Sequence, residues 1–236
     1  MSGGAVGAKR RTAVLISGRG SNMAALLAAA AADPGYPAEI ALVLSNRAGA
    51  AGLARAASAG VPTAVVESRA FRGDRGGFER AVEAELERRG VELVALAGFM
   101  RVLTPGFVAR WEGRMVNVHP SLLPAFPGLD THARALAAGV RLHGCTVHLV
   151  SAGVDEGPIL AQAAVPVLDS DDAEALAARV LEQEHLLYPA ALAWLASGRV
   201  GLEGGRARVA GAEGPPGAAA LRNPLSGRAA VNKPPR

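Results

Sequence analysis

The segment Thr12-Ala13-Val14-Leu15-Ile16-Ser17-Gly18-Arg19-Gly20-Ser21-Asn22-Met23-Ala24-Ala25-Leu26-Leu27 sets the architecture. Its apolar run ends at Ser17-Gly18, the length and boundary expected of a buried strand. A helix-period stretch from Met23 to Ala32 follows and stops at Asp33-Pro34-Gly35. The same unit then repeats. Ile40 to Leu44 is strand-like and breaks at Ser45-Asn46, and a helix from about Ala50 to Ala59 closes on Gly60, a left-handed cap. Val61 to Val66 is a short strand, Phe78 to Arg89 a charged amphipathic helix closed by Gly90, and Val91 to Ala97 a fourth strand. Strands alternating with helices at this spacing predict βαβ units. The expected fold is α/β, a doubly wound and mostly parallel sheet with helices on both faces.

Beyond Ala97 the rhythm changes. Met115 to His119 reads as a strand with polar residues at its end, followed by a proline-rich segment from Pro120 to Pro127. A short helix over Thr131 to Ala138 leads to strand-like runs at Cys145 to Val150 and Ile159 to Val167. Asp171 to Leu195 predicts a long helix interrupted at Pro189. From Gly201 onward Gly, Pro, Ala and Arg dominate without sustained periodicity. The organisation predicted is a single domain over 12–205, with disordered extensions at 1–11 and 206–236.

Composition narrows the function classes. Half of the 236 residues are hydrophobic and 19% are charged, enough apolar surface for a sizeable core. No apolar run approaches the ~18 residues of a membrane span, so no membrane association is expected. The single cysteine, Cys145, excludes an internal disulfide framework and fits a reducing, cytoplasmic compartment. The formal net charge of +4 comes from the ends. Once the three basic residues of 1–11 and the tail beyond Val200 are set aside, 16 basic side chains face 19 acidic ones. A nucleic-acid footprint needs a basic face on the folded body, with aromatics for single strands. Aromatic residues are only 4% of the chain, and no nucleic-acid partner is expected.

Three places carry residues suited to chemistry. The turn Ser17-Gly18-Arg19-Gly20-Ser21-Asn22 joins the first strand to its helix. Unpaired N–H groups at a helix start, beside the positive end of its dipole, can cradle a phosphate. Ser21 and Asn22 equally suit a helix N-cap, and a capped tight turn explains each residue by itself. The loop lacks the third glycine of a dinucleotide fingerprint and the Gly-Lys-Ser/Thr of a P-loop. The second place is Asn117-Val118-His119-Pro120-Ser121-Leu122-Leu123-Pro124. With period 2, Asn117 and His119 point the same way at the carboxyl end of a strand, where doubly wound sheets bind ligands. An amide donor beside an imidazole can stabilise an oxyanion and move a proton. Singly, Asn117 also reads as a satisfied turn residue and His119 as packed core. The third is Val154-Asp155-Glu156-Gly157-Pro158, where Asp155 is either an ordinary turn residue or the carboxylate that orients His119 and favours its charged form. His132, His143, His148 and His185 have no metal-ligand spacing, so no metal is expected. No nucleophile elbow is present.

Taken together, Ser17-Gly18-x-Gly20-Ser21-Asn22, Ala97-Gly98-Phe99-Met100-Arg101, Asn117-x-His119-Pro120-Ser121-Leu122-Leu123-Pro124 and Asp155-x-Gly157-Pro158 closely resemble the phosphoribosylglycinamide formyltransferases. These are folate-dependent members of the formyltransferase superfamily, and the resemblance covers about residues 11–200. It implies formyl transfer from 10-formyltetrahydrofolate, as co-substrate, to the amine of 5′-phosphoribosylglycinamide in purine biosynthesis. By matching positions it implies Asn117, His119 and Asp155 as the catalytic trio, and Gly20, Ser21 and Asn22 as the phosphate loop. Glu184 corresponds to a sugar contact. Arg75, Met100, Arg101, Val102, Leu103, Asn117, Ser151, Ala152, Gly153, Val154 and Asp155 correspond to folate contacts, with Arg72 an alternative to Arg75. The partners implied are small-molecule substrates, for a monomer or homodimer.

Rival readings stay open at this level. Methionyl-tRNA formyltransferase is expected to need a further carboxyl-terminal domain, and formyltetrahydrofolate hydrolase an amino-terminal one. A non-catalytic folate- or phosphosugar-binding protein would keep the fold and lose the trio.

Overall fold

A computed structural model describes residues 8–211. The expectations for 1–7 and 212–236 lie outside the described residues. Strand β1 (Arg10–Ile16) leads through a tight turn to α1 (Ser21–Ala32), then β2 (Ala38–Ser45), α2 (Ala51–Ser58) and β3 (Thr63–Val65). A short 3-10 turn (Ser68–Phe71) precedes α3 (Arg75–Arg88), β4 (Leu93–Leu96), α4 (Pro105–Arg110) and β5 (Met115–His119). The second half holds α5 (Thr131–Ala137), β6 (Leu142–Leu149), β7 (Ile159–Pro166), α6 (Ala173–Ala196) and a hairpin of β8 (Val200–Glu203) and β9 (Arg206–Val209).

Seven strands form one sheet in the order β3-β2-β1-β4-β5-β6-β7. The pairs from β3 through β5 are parallel, and β6 runs antiparallel to both β5 and β7. This is the mostly parallel α/β sheet expected. Alternation along the strands splits the core into two layers. Val14 and Ile16 of β1 join Val116 and Val118 of β5 under Met23 and Leu26 of α1 and Tyr188, Leu192 and Leu195 of α6. Ala13 and Leu15 face the other way, with Leu42, Leu44, Val94 and Leu96, against Phe78, Val82 and Leu86 of α3 and Phe107 and Trp111. Chain order reverses between β1 and β4, so the crevice for a ligand opens at their carboxyl ends.

Three boundaries depart from the sequence reading. β1 starts at Arg10 rather than Thr12: Arg10 pairs with Ala38, and the Arg11 side chain donates to Arg89 O and Glu39. Residues 206–209 form β9, placed by backbone pairing that leaves no hydrophobic period to read. The helix expected to break at Pro189 runs unbroken through it. An interior proline costs about 3 kcal/mol, and α6 absorbs this by burying Tyr188, Pro189, Ala191 and Leu192 against the sheet. Tyr36 Oη also donates to Pro189 O at 2.7 Å.

Candidate active site

Three chain segments meet where the parallel part of the sheet gives way to β6. The turn after β1 is the first. Gly20 is the N-cap of α1, with φ +71 and ψ +36, and no side chain caps the helix. The expectation of Ser21 or Asn22 as N-cap is therefore corrected: both lie inside the first turn. A Cβ at residue 20 would sit 3.0 Å from Gly52 Cα, and Gly52 N donates to Gly18 O at 3.0 Å. That close approach, with the left-handed backbone, requires glycine here. Since Ala24 N makes the first intrahelical bond, to Gly20 O, the N–H groups ahead of it are left as donors for an anion. Asn22 Nδ2 donates to Glu184 Oε2 at 2.6 Å, tying α1 to α6. Asn22 Oδ1 is buried without a partner, and burial pushes the Glu184 carboxyl above its usual range, opposed by the Asn22 bond.

The second segment is the end of β5. Val116 and Val118 enter the α1/α6 layer and Met115 the α3/α4 layer, so Asn117 and His119 continue on the Met115 side. The third is the loop after β6. Asp155 has φ +57, a left-handed conformation that Asp and Asn tolerate best among residues with a Cβ. It places Oδ2 at 3.3 Å from His119 Nδ1 and within 2.8 Å of Gly128 N, which donates to it. His119 Nε2 lies 3.0 Å from Phe126 O. The Phe126 carbonyl can only accept, so Nε2 is the nitrogen that carries a hydrogen toward it, and the Asp155 carboxylate faces Nδ1. Gly157 fixes the start of the return strand: a Cβ there would fall 1.7 Å from Leu149 O.

His148, which no spacing in the sequence singled out, completes the arrangement. It sits directly opposite Asn117 in the antiparallel β5–β6 pair. Its Nδ1 donates to Leu149 O at 2.9 Å, leaving Nε2 to accept from Asn117 Nδ2 at 3.2 Å. Burial lowers the pKa of His148, only partly offset by Leu149 O and Asp155. The neutral ring thus turns the Asn117 amide so that its second N–H remains available. The only cue that could have found His148 is strand register, which a hydrophobic pattern does not carry.

The segment expected to contact folate divides. Met100, Val102 and Val154 are large apolar side chains left more than half exposed. Met100 N donates to Ser17 Oγ, whose hydroxyl in turn donates to Asn46 Oδ1, so the 99–103 segment is fastened to the turn after β1. Arg101 lies 5.8 Å over the Phe78 ring, and Leu103 packs into the α3/α4 layer. Ser151 and Ala152 line a hollow of about 230 Å³ with Val108, Leu149 and Pro158. Arg75 opens α3 as an exposed residue, and no bond joins it to Asn117, His119 or Asp155 among the described residues. A larger cleft of about 380 Å³, between α3 and α4, contains none of the trio.

A family pattern described as formyl transferase matches residues 10–192. The chain belongs to the formyl transferase family. Among its relatives, a phosphoribosylglycinamide formyltransferase of Escherichia coli (strain K12) is 42% identical over 203 residues, covering 86% of this chain and 95% of that one. The trifunctional purine biosynthetic protein adenosine-3 of Gallus gallus is 50% identical over 192 residues, 81% of this chain. This formyl transferase spans only 19% of that relative's length. The crystal structure of glycinamide ribonucleotide transformylase 1 from Symbiobacterium toebii superposes with a TM-score of 0.82 at 46% identity, covering 86% of this chain and 95% of that one. No helix among the described residues is long and apolar enough to cross a membrane, and no cluster of three or more His, Cys, Asp or Glu is placed to hold a metal there.

Proposed function

We propose that the chain transfers the formyl group of 10-formyltetrahydrofolate to the amine of 5′-phosphoribosylglycinamide. The products are 5′-phosphoribosyl-N-formylglycinamide and tetrahydrofolate, made in the cytoplasm by a monomer or homodimer. The observation that carries this reading is the convergence of Asp155 and His119, 3.3 Å apart, beside Asn117 at the end of β5. The exposed apolar side chains of Met100, Val102 and Val154 fit a flat heterocycle, and the open N–H groups at Gly20, Ser21 and Asn22 fit a phosphate. Glu184 and the unpartnered Asn22 Oδ1 fit sugar hydroxyl donors.

As the neutral amine attacks the formyl carbon, negative charge builds on the formyl oxygen. The free N–H of Asn117 and the positive charge of His119 meet it there, and loss of one such donor typically costs about 10²–10³ in rate. Asp155 holds His119 from its Nδ1 side. The proton released by the amine must reach the departing folate nitrogen, through His119 or a relayed water. Holding both substrates in line makes the step effectively unimolecular.

The test is incubation of the protein with both substrates, following the folate absorbance change and the formylated product. Absence of product with intact ligand binding refutes the reading. Tetrahydrofolate release without the amine substrate instead identifies a hydrolase.

A further inference from the structure

The segment 126–130 holds both members of the His119–Asp155 pair through its backbone: Phe126 O takes His119 Nε2, and Gly128 N gives a hydrogen bond to Asp155 Oδ2. Its own conformation is poorly supported from within. Phe126 and Asp130 have φ of +54 and +55, which side chains with a Cβ disfavour. Leu129 is 71% exposed and gives no apolar anchor. Support comes from outside. Arg134 on α5 sends one nitrogen, Nη1, to Pro127 O at 2.5 Å and to Leu129 O at 3.2 Å. Its guanidinium carbon also lies 5.7 Å from the centre of the Phe126 ring, within cation–π range. The His143 ring meets Phe126 edge-on at 5.8 Å, and His132 meets His143 at 5.3 Å. No carboxylate pairs with Arg134 among the described residues, so its hydrogen bonds go to this segment.

We propose that Arg134 is a positioning residue: by clamping Pro127 O, Leu129 O and the Phe126 ring, it keeps the Phe126 carbonyl on His119 and the Gly128 N–H on Asp155. Its effect on turnover rests on the formyl-transfer reading above; its effect on the resting His119 ring does not. The titratable groups whose charges act on His119 are Asp155 after β6, His143 and His148 on β6, His132 on α5 and Glu184 on α6. Arg134→Met removes none of these groups, so a change at the His119 ring comes through the 126–130 segment.

Arg134→Met is expected to lower turnover about tenfold with both KM values within about twofold of the parent. Arg134→Lys keeps a cationic donor on α5 near Pro127 O and Leu129 O and is expected to restore turnover to within about twofold. In nitrogen-15 NMR of the ligand-free protein, His119 Nε2 is expected to lose its hydrogen-bonded signal in Arg134→Met and to keep it in Arg134→Lys. An unchanged ring signal in Arg134→Met overturns the clamp, as does a failure of Arg134→Lys to recover turnover. If the parent protein forms no formylated product, the functional reading fails and the ring signal still decides the clamp.

Discussion

Asp155 and Glu184 are both carboxylates in the crevice, and their surroundings give them different tasks. Asp155 lies between Gly128 N and two imidazoles. Asp155→Asn keeps a residue that accepts the left-handed backbone and removes the charge. Turnover is expected to fall by about 10²-fold or more, with the dissociation constant of the phosphorylated substrate within about twofold. Steady-state kinetics together with calorimetric titration check this; equal losses in both would make Asp155 structural. Glu184 is buried with Asn22 as its donor, and its carboxyl is pushed up by that burial. The folded state therefore disfavours ionisation. Relative to Glu184→Gln, the parent loses stability as pH rises from the unfolded value near 4.3 through the raised folded value. By urea unfolding, Glu184→Gln should match the parent's stability near pH 4 and exceed it at pH 7 by about 1 kcal/mol, while binding the phosphosugar more weakly.

Among the elements, α6 shows how tertiary packing overrides a local signal. Its proline is a breaker in the sequence, yet the helix is pinned at Tyr188, whose hydroxyl hydrogen is shared between Leu96 O at 2.9 Å and Val116 O at 3.1 Å. The approach to α6 is fastened separately. Arg179 holds Asp171 through both oxygens, at 2.7 and 2.8 Å, and this pairing keeps the Asp171 carboxyl down to about 2. With the folded value depressed, the contribution is present above the unfolded value near 3.9 and disappears as pH falls toward 2. Arg179→Met should thus cost about 1 kcal/mol or less at pH 7, and thermal melts at pH 2 should show a smaller difference from the parent than melts at pH 7, the bond from Arg179 to Pro166 O being the part that acid does not remove. The parallel half of the fold was legible because strand and helix periods alternate from Ala13 to Leu96. The antiparallel half was not. β6 and β7 carry the same apolar runs that a parallel pair would, and the direction of β6 is what brings His148 to Asn117. Likewise α4, six residues from Pro105 to Arg110, is too short to show a helical period.

For the molecule as a whole, histidines set the response to acid. Burial lowers the pKa of His132, His143, His148 and His185, four of the five in the chain, with His143 brought down to about 4. Neither ring nitrogen of His143 has a well-aligned hydrogen bond. The unfolded chain binds more protons than the folded one between about pH 6.5 and the lowered values, so stability falls as pH drops through that window. Urea midpoints between pH 7 and 5 should decline, and His143→Phe should flatten the decline; a midpoint independent of pH over that range contradicts the argument. Asn117, His119 and Asp155 were legible as residue types at a strand end and a turn, while their contacts with Phe126, Gly128 and His148 depend on distances that only the folded chain supplies. The left-handed backbone at 155 has a consequence for descendants of this protein. A copy released from selection can exchange Asp for Asn there with little disturbance to its folding or its pocket. Such a copy would look like an enzyme in every respect but one, and a genome survey would separate it from working ones by inspecting that single codon.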